Sequence, residues 1–338
     1  MNTEATKQRD PIDLIVIGAG PSGLSCAIQA KKAGLSCVVL EKGSLVDYVR
    51  RFPQKLIWFS TPELLEIGGL PFPTATVHPT RVDALTYYQK VTQYYELDVR
   101  YFDPVKSVVR YDSVFSVSTE KGETYFGRNV VVATGYYDNP NRLDIPGELL
   151  PKVSHYYDEP FKYFGCDVAV IGGRNSAVES SLDLFRHGAR VTLIHRGNKL
   201  SDGVKYWILP DIENRIKSGE IRALFQSSVR EIKESSLIVK TPDEERELKN
   251  DFVLILIGFH PDTDLLRRFG VEIDPETLAP RHDKKTYETN IPGVYVAGSV
   301  VAGKYNNKIF IENGRLHGHA IVSSILSKHQ DVQQRLTV

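Results

Sequence analysis

The chain has 338 residues, enough for two or three domains with a sizeable core. Its 42 basic and 42 acidic side chains cancel, so no bulk field recruits nucleic acid or an anionic membrane. No apolar run approaches the roughly 18 residues of a membrane span, and three cysteines (Cys26, Cys37, Cys166) are too few for a disulfide framework, so a cytoplasmic protein is expected.

Met1 to Asp10 reads as a frayed polar leader. The run Asp13-Leu14-Ile15-Val16-Ile17 is a buried-strand pattern, and Gly18-Ala19-Gly20-Pro21-Ser22-Gly23 follows it directly. Leu24 to Ala33 predicts a helix that stops at Gly34, and Ser36 to Leu40 a second strand that delivers Glu41. In this arrangement Gly18 permits a tight turn, Gly20 lets backbone approach a pyrophosphate, and Gly23 lets helix and strand pack closely. The helix N-terminus offers free N–H groups and a positive dipole end to the phosphates. Glu41, 18 residues beyond Gly23, is placed to accept from ribose hydroxyls.

The loop Phe52 to Pro62 is too aromatic for a plain linker; it either fills a core or covers a flat cofactor ring. Thr80 caps a helix to about Glu96, and Val105 to Thr124 alternates like a half-buried hairpin. Asn129 to Val132 with Ala133-Thr134-Gly135 repeats the strand-then-glycine pattern.

After a connector punctuated by Pro140, Pro146 and Pro151, the plan starts again. Asp167 to Ile171 is a strand, Gly172-Gly173-Arg174-Asn175-Ser176-Ala177 the turn, and a helix runs to about His187. Strand Arg190 to Ile194 then ends in His195-Arg196 rather than an acid, which suits a 2′-phosphate and hence NADPH. Arg174 replaces the middle glycine and adds a phosphate donor. Phe252 to Ile257 and Gly293 to Gly298 are further strands ending in glycine, and Ile311 to about Ser327 predicts a helix broken early by Gly314 and Gly318. His317 and His319 lie two apart, on different helix sides, and no cluster has metal-ligand spacing, so no metal is expected.

Two nucleotide units, one ending in an acid and one in a cation, point to FAD and NADPH with hydride passing between them. That step needs geometry rather than an amino-acid acid or base. No catalytic residue is assigned to it.

Ile17 to Gly23, Glu41-Lys42, Ala133-Thr134-Gly135, Gly172-Gly173 with Asn175-Ser176-Ala177, and Gly293 to Gly298 resemble the two-dinucleotide-binding-domain flavoproteins of the thioredoxin reductase type. Ala133 to Pro140, Val170 to Ser176, Tyr206-Trp207-Ile208-Leu209-Pro210 and Ile309 to Arg315 resemble more narrowly the YpdA family, which is associated with bacillithiol disulfide reduction by FAD and NADPH. The resemblance implies an α/β fold of two Rossmann-like domains: a discontinuous FAD domain, 1–149 and 259–338, with the NADPH domain, 150–258, inserted. Gly18, Gly20, Pro21, Ser22 and Gly23 would hold the FAD pyrophosphate, Glu41 and Lys42 its adenosine end, and Val105 its adenine. Ala133, Thr134, Gly135 and Gly298 would complete that site, with Gly298 toward the flavin. Gly172, Gly173, Arg174, Asn175, Ser176 and Arg196 would hold NADPH. A homodimer or higher homo-oligomer is usual for the type.

Two departures bear on chemistry. Family members acting on bacillithiol disulfide carry a cysteine inside the first glycine motif, where this chain has Ser22. The Cys-x-x-Cys of thioredoxin reductases is also missing from 174–178. Thiol–disulfide exchange needs a thiolate beside the flavin. Cys26, one helical turn past Ser22, is the nearest candidate in sequence, although a core role suits it better. The acceptor is therefore a small-molecule disulfide or a small redox protein, the latter as in ferredoxin or flavodoxin reductases. A flavin monooxygenase is a third reading, from Pro146-Gly147 followed by His155. A flavin-binding sensor has little use for a 2′-phosphate site.

Overall fold

A computed structural model describes residues 10–305 and 308–336, with side chains to residue 330. Apart from Asp10, the polar leader lies outside these residues. The chain divides into two compact units, one of residues 1–51, 55–139 and 259–338, the other of 52–54 and 140–258.

In the first unit, β1 (Ile12–Ile17), β2 (Cys37–Leu40), β3 (Val99–Arg100) and β6 (Thr124–Val132) lie side by side in the order β3-β2-β1-β6, all parallel. β4 (Val105–Tyr111) and β5 (Val114–Thr119) continue from β6 as an antiparallel meander. The expected hairpin is thus a three-stranded ribbon sharing its last strand with the parallel sheet. β6 manages this with nine residues: its first half pairs β5, while Val130 to Val132 pair the last strand, Val294–Val296. Gly127 is the last β6 residue registered with β5, and a Cβ there would lie 2.7 Å from the Ile15 side chain of β1.

Helix α1 (Pro21–Lys32) follows β1 and buries eight of its twelve residues, including Leu24, Cys26 and Ile28. Such burial requires cover on two sides. One side is the parallel sheet; the other is the closing helix His317–Leu336. That helix runs on past Ser327, and Gly318 does not break it. At Gly318 a Cβ would sit 2.8 Å from the Cys26 backbone nitrogen, so the glycine serves close helix packing. Helix α2 (Arg81–Tyr94) starts as expected at Thr80, in a full capping box with Asp83. In the aromatic loop Ile57 and Phe59 stay exposed, while Phe52, Leu56 and Trp58 are part-buried.

The second unit holds an all-parallel sheet ordered β10-β9-β8-β14-β7: β7 is Val153–Ser154, β8 Asp167–Ile171, β9 Arg190–Ile194, β10 Arg222–Leu224 and β14 Phe252–Ile255. Between β10 and β14 an antiparallel sheet of β11 (Ser228–Ile232), β12 (Ser236–Lys240) and β13 (Glu245–Lys249) packs Val229, Ile232, Leu237 and Val239 against Ala169, Ile194 and Val253. Helix α3 (Asn175–Arg186) lies between β8 and β9 in the chain, and α4 (Leu209–Lys217) between β9 and β10. Residues 140–149 belong to this unit rather than to the first. Leu143 and Ile145 pack on its core, and Gly147, at φ +80°, lies so close to the Ile232 carbonyl that a Cβ would fall 1.7 Å from that oxygen.

The two sheets share one arrangement around the strand before each glycine turn. β1 and β8 each have the next strand on one side and a later strand on the other. In parallel α/β sheets that reversal opens a crevice beyond the carboxyl ends of the strands. Both glycine turns sit there.

Candidate nucleotide-binding sites

In the first unit the strands end in a row. The Gly18 N–H donates to Leu40 O and the Ala133 N–H to Ile17 O, each at 2.8 Å, and the Ala297 N–H donates to Val132 O at 3.0 Å. Glu41, Gly18, Ala133 and Ala297 therefore line one edge. The turn is as tight as its glycines allow: Gly18 has φ +108°, and a Cβ there would lie 2.6 Å from Ala133 O. A Cβ on Gly23 would lie 2.0 Å from Gly18 O. Above Gly20 nothing stands within 4 Å, so the backbone is open to a ligand. Gly20 is also the N-cap of α1 and supplies no side-chain acceptor, while Pro21 occupies the first turn. The N–H groups of that turn stay available to an anion.

Glu41 is buried, and each of its carboxylate oxygens takes one backbone donor, Oε2 from Ala19 at 2.6 Å and Oε1 from Gly43 at 2.8 Å. Burial raises its pKa, and those two hydrogen bonds oppose the rise. Each oxygen keeps a lone pair for a ribose hydroxyl. Lys42 is committed elsewhere, to Asp138 at 2.7 Å, which also takes Arg51 at 2.5 Å. Val105 opens β4, two residues after Asp103, whose N–H donates to Glu41 O at 2.9 Å.

The inner end of the cradle is built from small residues. Gly135 (φ +69°) and Gly298 (φ +73°) are both left-handed. Ser22 Oγ would lie 2.8 Å from a Cβ on Gly298 and 2.7 Å from one on Gly314, so Ser22 sits between two glycines. The Thr134 hydroxyl is buried with no hydrogen-bond partner, which marks a polar group awaiting one. An uncapped helix end, an acid with spare lone pairs and an orphan hydroxyl on a side-chain-free floor fit an adenine dinucleotide. Sequence reasoning missed His317. It is buried, and its Nδ1 accepts the Gly298 N–H at 3.1 Å, which fixes the neutral tautomer with the proton on Nε2. Its ring stacks on Tyr287 at 4.0 Å. A contact across 19 residues leaves no trace in local pattern.

The second unit repeats the row: the Gly172 N–H donates to Ile194 O at 3.0 Å and the Leu256 N–H to Ile171 O at 2.8 Å. Gly172 (φ +149°) has Leu256 O only 2.5 Å from its would-be Cβ. Gly173 is a glycine for another reason, because the His195 ring fills the place of its side chain at 2.4 Å. Burial, with Arg196 adding to it, holds His195 below the usual histidine range. Arg174 is the exposed N-cap of α3, again with no side-chain cap, and Ser176 is exposed beside it. The Asn175 side chain is committed to a neighbouring loop: Nδ2 donates to Gly203 O at 3.0 Å and Oδ1 accepts from the Lys205 N–H at 2.9 Å. Its contribution to an anion is therefore its backbone. Arg196 is exposed at the end of β9, and neither Arg174 nor Arg196 pairs with a carboxylate among the described residues. Two unpaired guanidiniums beside an uncapped helix end fit a dinucleotide with an extra phosphate.

No thiol reaches either cradle's floor. Cys26 is wholly buried on α1, and burial drives its pKa far above the ordinary thiol value. Cys37 begins β2, at the far end of that strand from Glu41, and burial pushes it up to about 12. Cys166 precedes β8, at the end away from Gly172. Of the residues behind the monooxygenase reading, Gly147 lies against the Ile232 carbonyl, and His155 Nε2 lies 3.4 Å from Glu148, whose carboxylate caps the Leu143 and Asp144 N–H groups. Among the described residues no group of three or more His, Cys, Asp or Glu could hold a metal, and no helix is long and apolar enough to cross a membrane.

Two nucleotide cradles of this kind in one chain define a two-domain flavoprotein oxidoreductase of the thioredoxin reductase-like class. The chain belongs to the pyridine nucleotide-disulphide oxidoreductase family, whose model matches residues 15–298. It is 44% identical over 316 residues to bacilliredoxin reductase Bdr of Bacillus subtilis, covering 93% of this chain and 97% of that one. The structure of bacillithiol disulfide reductase Bdr (YpdA) from Bacillus cereus is 42% identical and superposes with a TM-score of 0.92 over 94% of this chain and 99% of that one. Thioredoxin reductase of Lactococcus lactis, 22% identical, shares the fold with a TM-score of 0.75 over 94% of this chain and 98% of that one.

Proposed function

We infer that the first cradle binds FAD and the second NADPH, and that the chain reduces a small-molecule disulfide with electrons from NADPH. The contrast between Glu41, buried with spare acceptor capacity, and Arg196, exposed and unpaired, carries this assignment. When bound, the flavin supplies the chemistry, taking hydride from the dihydronicotinamide and passing two electrons to the acceptor. The chain binds, orients and shields. The α1 end and Gly18 to Gly23 hold the pyrophosphate of FAD, and Glu41 orients its adenosine ribose. Lys42 acts there through Asp138, and the start of β4 at Val105 flanks the adenine. Ala133, Thr134, Gly135 and Gly298 line the inner end. Gly172, Gly173, Arg174 and the backbone of Asn175 and Ser176 hold the NADPH phosphates, with Arg196 on the 2′-phosphate. Overall, NADPH, one proton and one disulfide give NADP⁺ and two thiols.

The relatives named for bacilliredoxin and bacillithiol disulfide support a disulfide as acceptor. The placement of Cys26, Cys37 and Cys166 adds a condition: the acceptor meets the flavin without a thiol of this chain as relay. The same observation favours a second reading, a small redox protein that takes electrons from the flavin one at a time. The test is anaerobic reduction with NADPH, then reoxidation by bacillithiol disulfide, ferredoxin, a quinone or oxygen. It uses the wild type and a variant with all three cysteines changed to alanine. Bacillithiol disulfide should reoxidise both fastest and within about twofold of each other. Faster reoxidation by ferredoxin selects the second reading, and a variant that keeps its flavin but loses disulfide turnover contradicts the thiol-free route.

A further inference from the structure

Between β9 and α4 the chain reads Val204-Lys205-Tyr206-Trp207-Ile208-Leu209, and its apolar residues are sorted against their size. Val204 is buried, and Ile208 and Leu209 pack on the core of the second unit. The two largest rings face out: Tyr206 is 81% and Trp207 50% exposed. They meet edge to face at 4.9 Å and 90°. Large rings left in water are normally accidental when single and informative when paired on a fixed support.

The support here is fixed, and it is the second cradle itself. The Ser201 N–H donates to Gly173 O at 2.9 Å, inside the glycine turn. Asn175, the first residue of α3, holds the loop at Gly203 and Lys205 through both ends of its side-chain amide. The Lys205 ammonium pairs with Glu179, one turn further along α3, and also lies 5.8 Å from the Trp207 ring. The ties made by Ser201, Gly203 and Lys205 thus end on the turn or helix assigned to the pyrophosphate. A surface loop with no task there would not need four such ties.

We propose that Tyr206 and Trp207 form an aromatic wall against the bound pyridine nucleotide, a nucleotide-binding element additional to the glycine turn and Arg196. The wall rests on the assignment of NADPH to the second cradle. It supplies what a shallow phosphate site on a sheet edge lacks, a flat face for a ribose or ring to lie on, with contact area held at low entropic expense because both side chains have few rotors. The asparagine then has a structural reason to be Asn175: its two-sided amide ties the wall to the helix end.

Titration calorimetry of the flavin-loaded protein with NADP⁺, which binds without reacting, tests this. Trp207→Ala and Tyr206→Ala together should weaken NADP⁺ about tenfold, the size of a lost stacking contact, with flavin content unchanged. Trp207→Phe with Tyr206→Phe should restore binding to within about threefold, since a face is needed rather than a polar tip. Asn175→Ala should weaken NADP⁺ as well and, in a Trp58→Phe background, make Trp207 more accessible to acrylamide. If the double alanine variant binds NADP⁺ like the wild type while Arg196→Ala still binds it weakly, the wall is wrong and the NADPH assignment stands. If the wild type fails to bind NADP⁺, both fall.

Discussion

Gly18, Gly20 and Gly23 leave the first cradle free of side chains, whereas the second carries Arg174 at the middle position and Ala177 at the third. The reasons lie in how near each turn stands to its neighbours. In the first, Gly18 O is 2.0 Å from a Cβ on Gly23, and no side chain fits. In the second, Ala177 carries its methyl 2.8 Å from where a Cβ on Gly172 would lie, so the methyl fits there because Gly172 has none. Burial differs as well. α1 is sandwiched between sheet and closing helix, while α3 keeps one polar face. A bare floor suits a cofactor that stays; a turn edged with unpaired cations suits one that comes and goes. Under the assignment proposed above, the same glycine pattern would serve retention in one unit and exchange in the other.

The sharpest way to break this comparison is to exchange the third positions. Gly23→Ala should give protein without flavin, because even a methyl must displace the Gly18 carbonyl. Ala177→Gly should leave the Michaelis constant for NADPH within about twofold and lower stability by about 1 kcal/mol, the helix cost of glycine. Flavin absorbance per polypeptide and steady-state kinetics read both. Next in size, Glu41→Ala should weaken FAD retention about tenfold or more, through loss of a charge-assisted acceptor, as measured by flavin released on dialysis. Flavin occupancy equal to the wild type would remove the role given to Glu41. Arg196→Ala should raise the Michaelis constant for NADPH about tenfold and that for NADH less than twofold. Equal effects on the two nucleotides would deny a 2′-phosphate contact.

A separate expectation, on stability rather than binding, concerns His317. Burial, with His282 adding to it, lowers its pKa from 6.5 to about 4. The unfolded chain binds its proton first on acidification, so the neutral, folded form is favoured above about 6.5 and loses stability as the pH falls toward 4. Between pH 7 and 5 this amounts to about 2 kcal/mol. His317→Asn, which keeps an acceptor for the Gly298 N–H but cannot titrate, should flatten the melting temperature over that range; an unchanged slope would place the acid sensitivity elsewhere.

Much of this was legible in the sequence because it is local. A β-branched run, a glycine turn and an alanine-rich helix declare themselves within 30 residues, and the acid or cation at the end of the second strand follows at a fixed distance. The closing helix was misjudged for a physical reason: Gly318 weakens a helix in isolation, but at a crossing with α1 its missing Cβ is what permits contact. The meander and the three-stranded β11-β12-β13 sheet depend on pairings that a single strand's pattern does not reveal. Lys42 and Asn175 stand beside their glycine motifs in the chain, yet their side chains are engaged by Asp138 and by the 203–205 loop, partners remote in sequence. Cys26, the nearest thiol in sequence to the first glycine motif, is wholly buried on α1.

The central claim, electrons entering at a guanidinium-edged cradle and leaving from a carboxylate-edged one, is tested most directly by anaerobic titration of the purified protein with NADPH. The account predicts a yellow protein whose oxidised-flavin absorbance disappears at one equivalent of NADPH per flavin, with NADH needing a far higher concentration for the same rate. A colourless protein that cannot be loaded with FAD, or a yellow one that neither nucleotide bleaches, would contradict it.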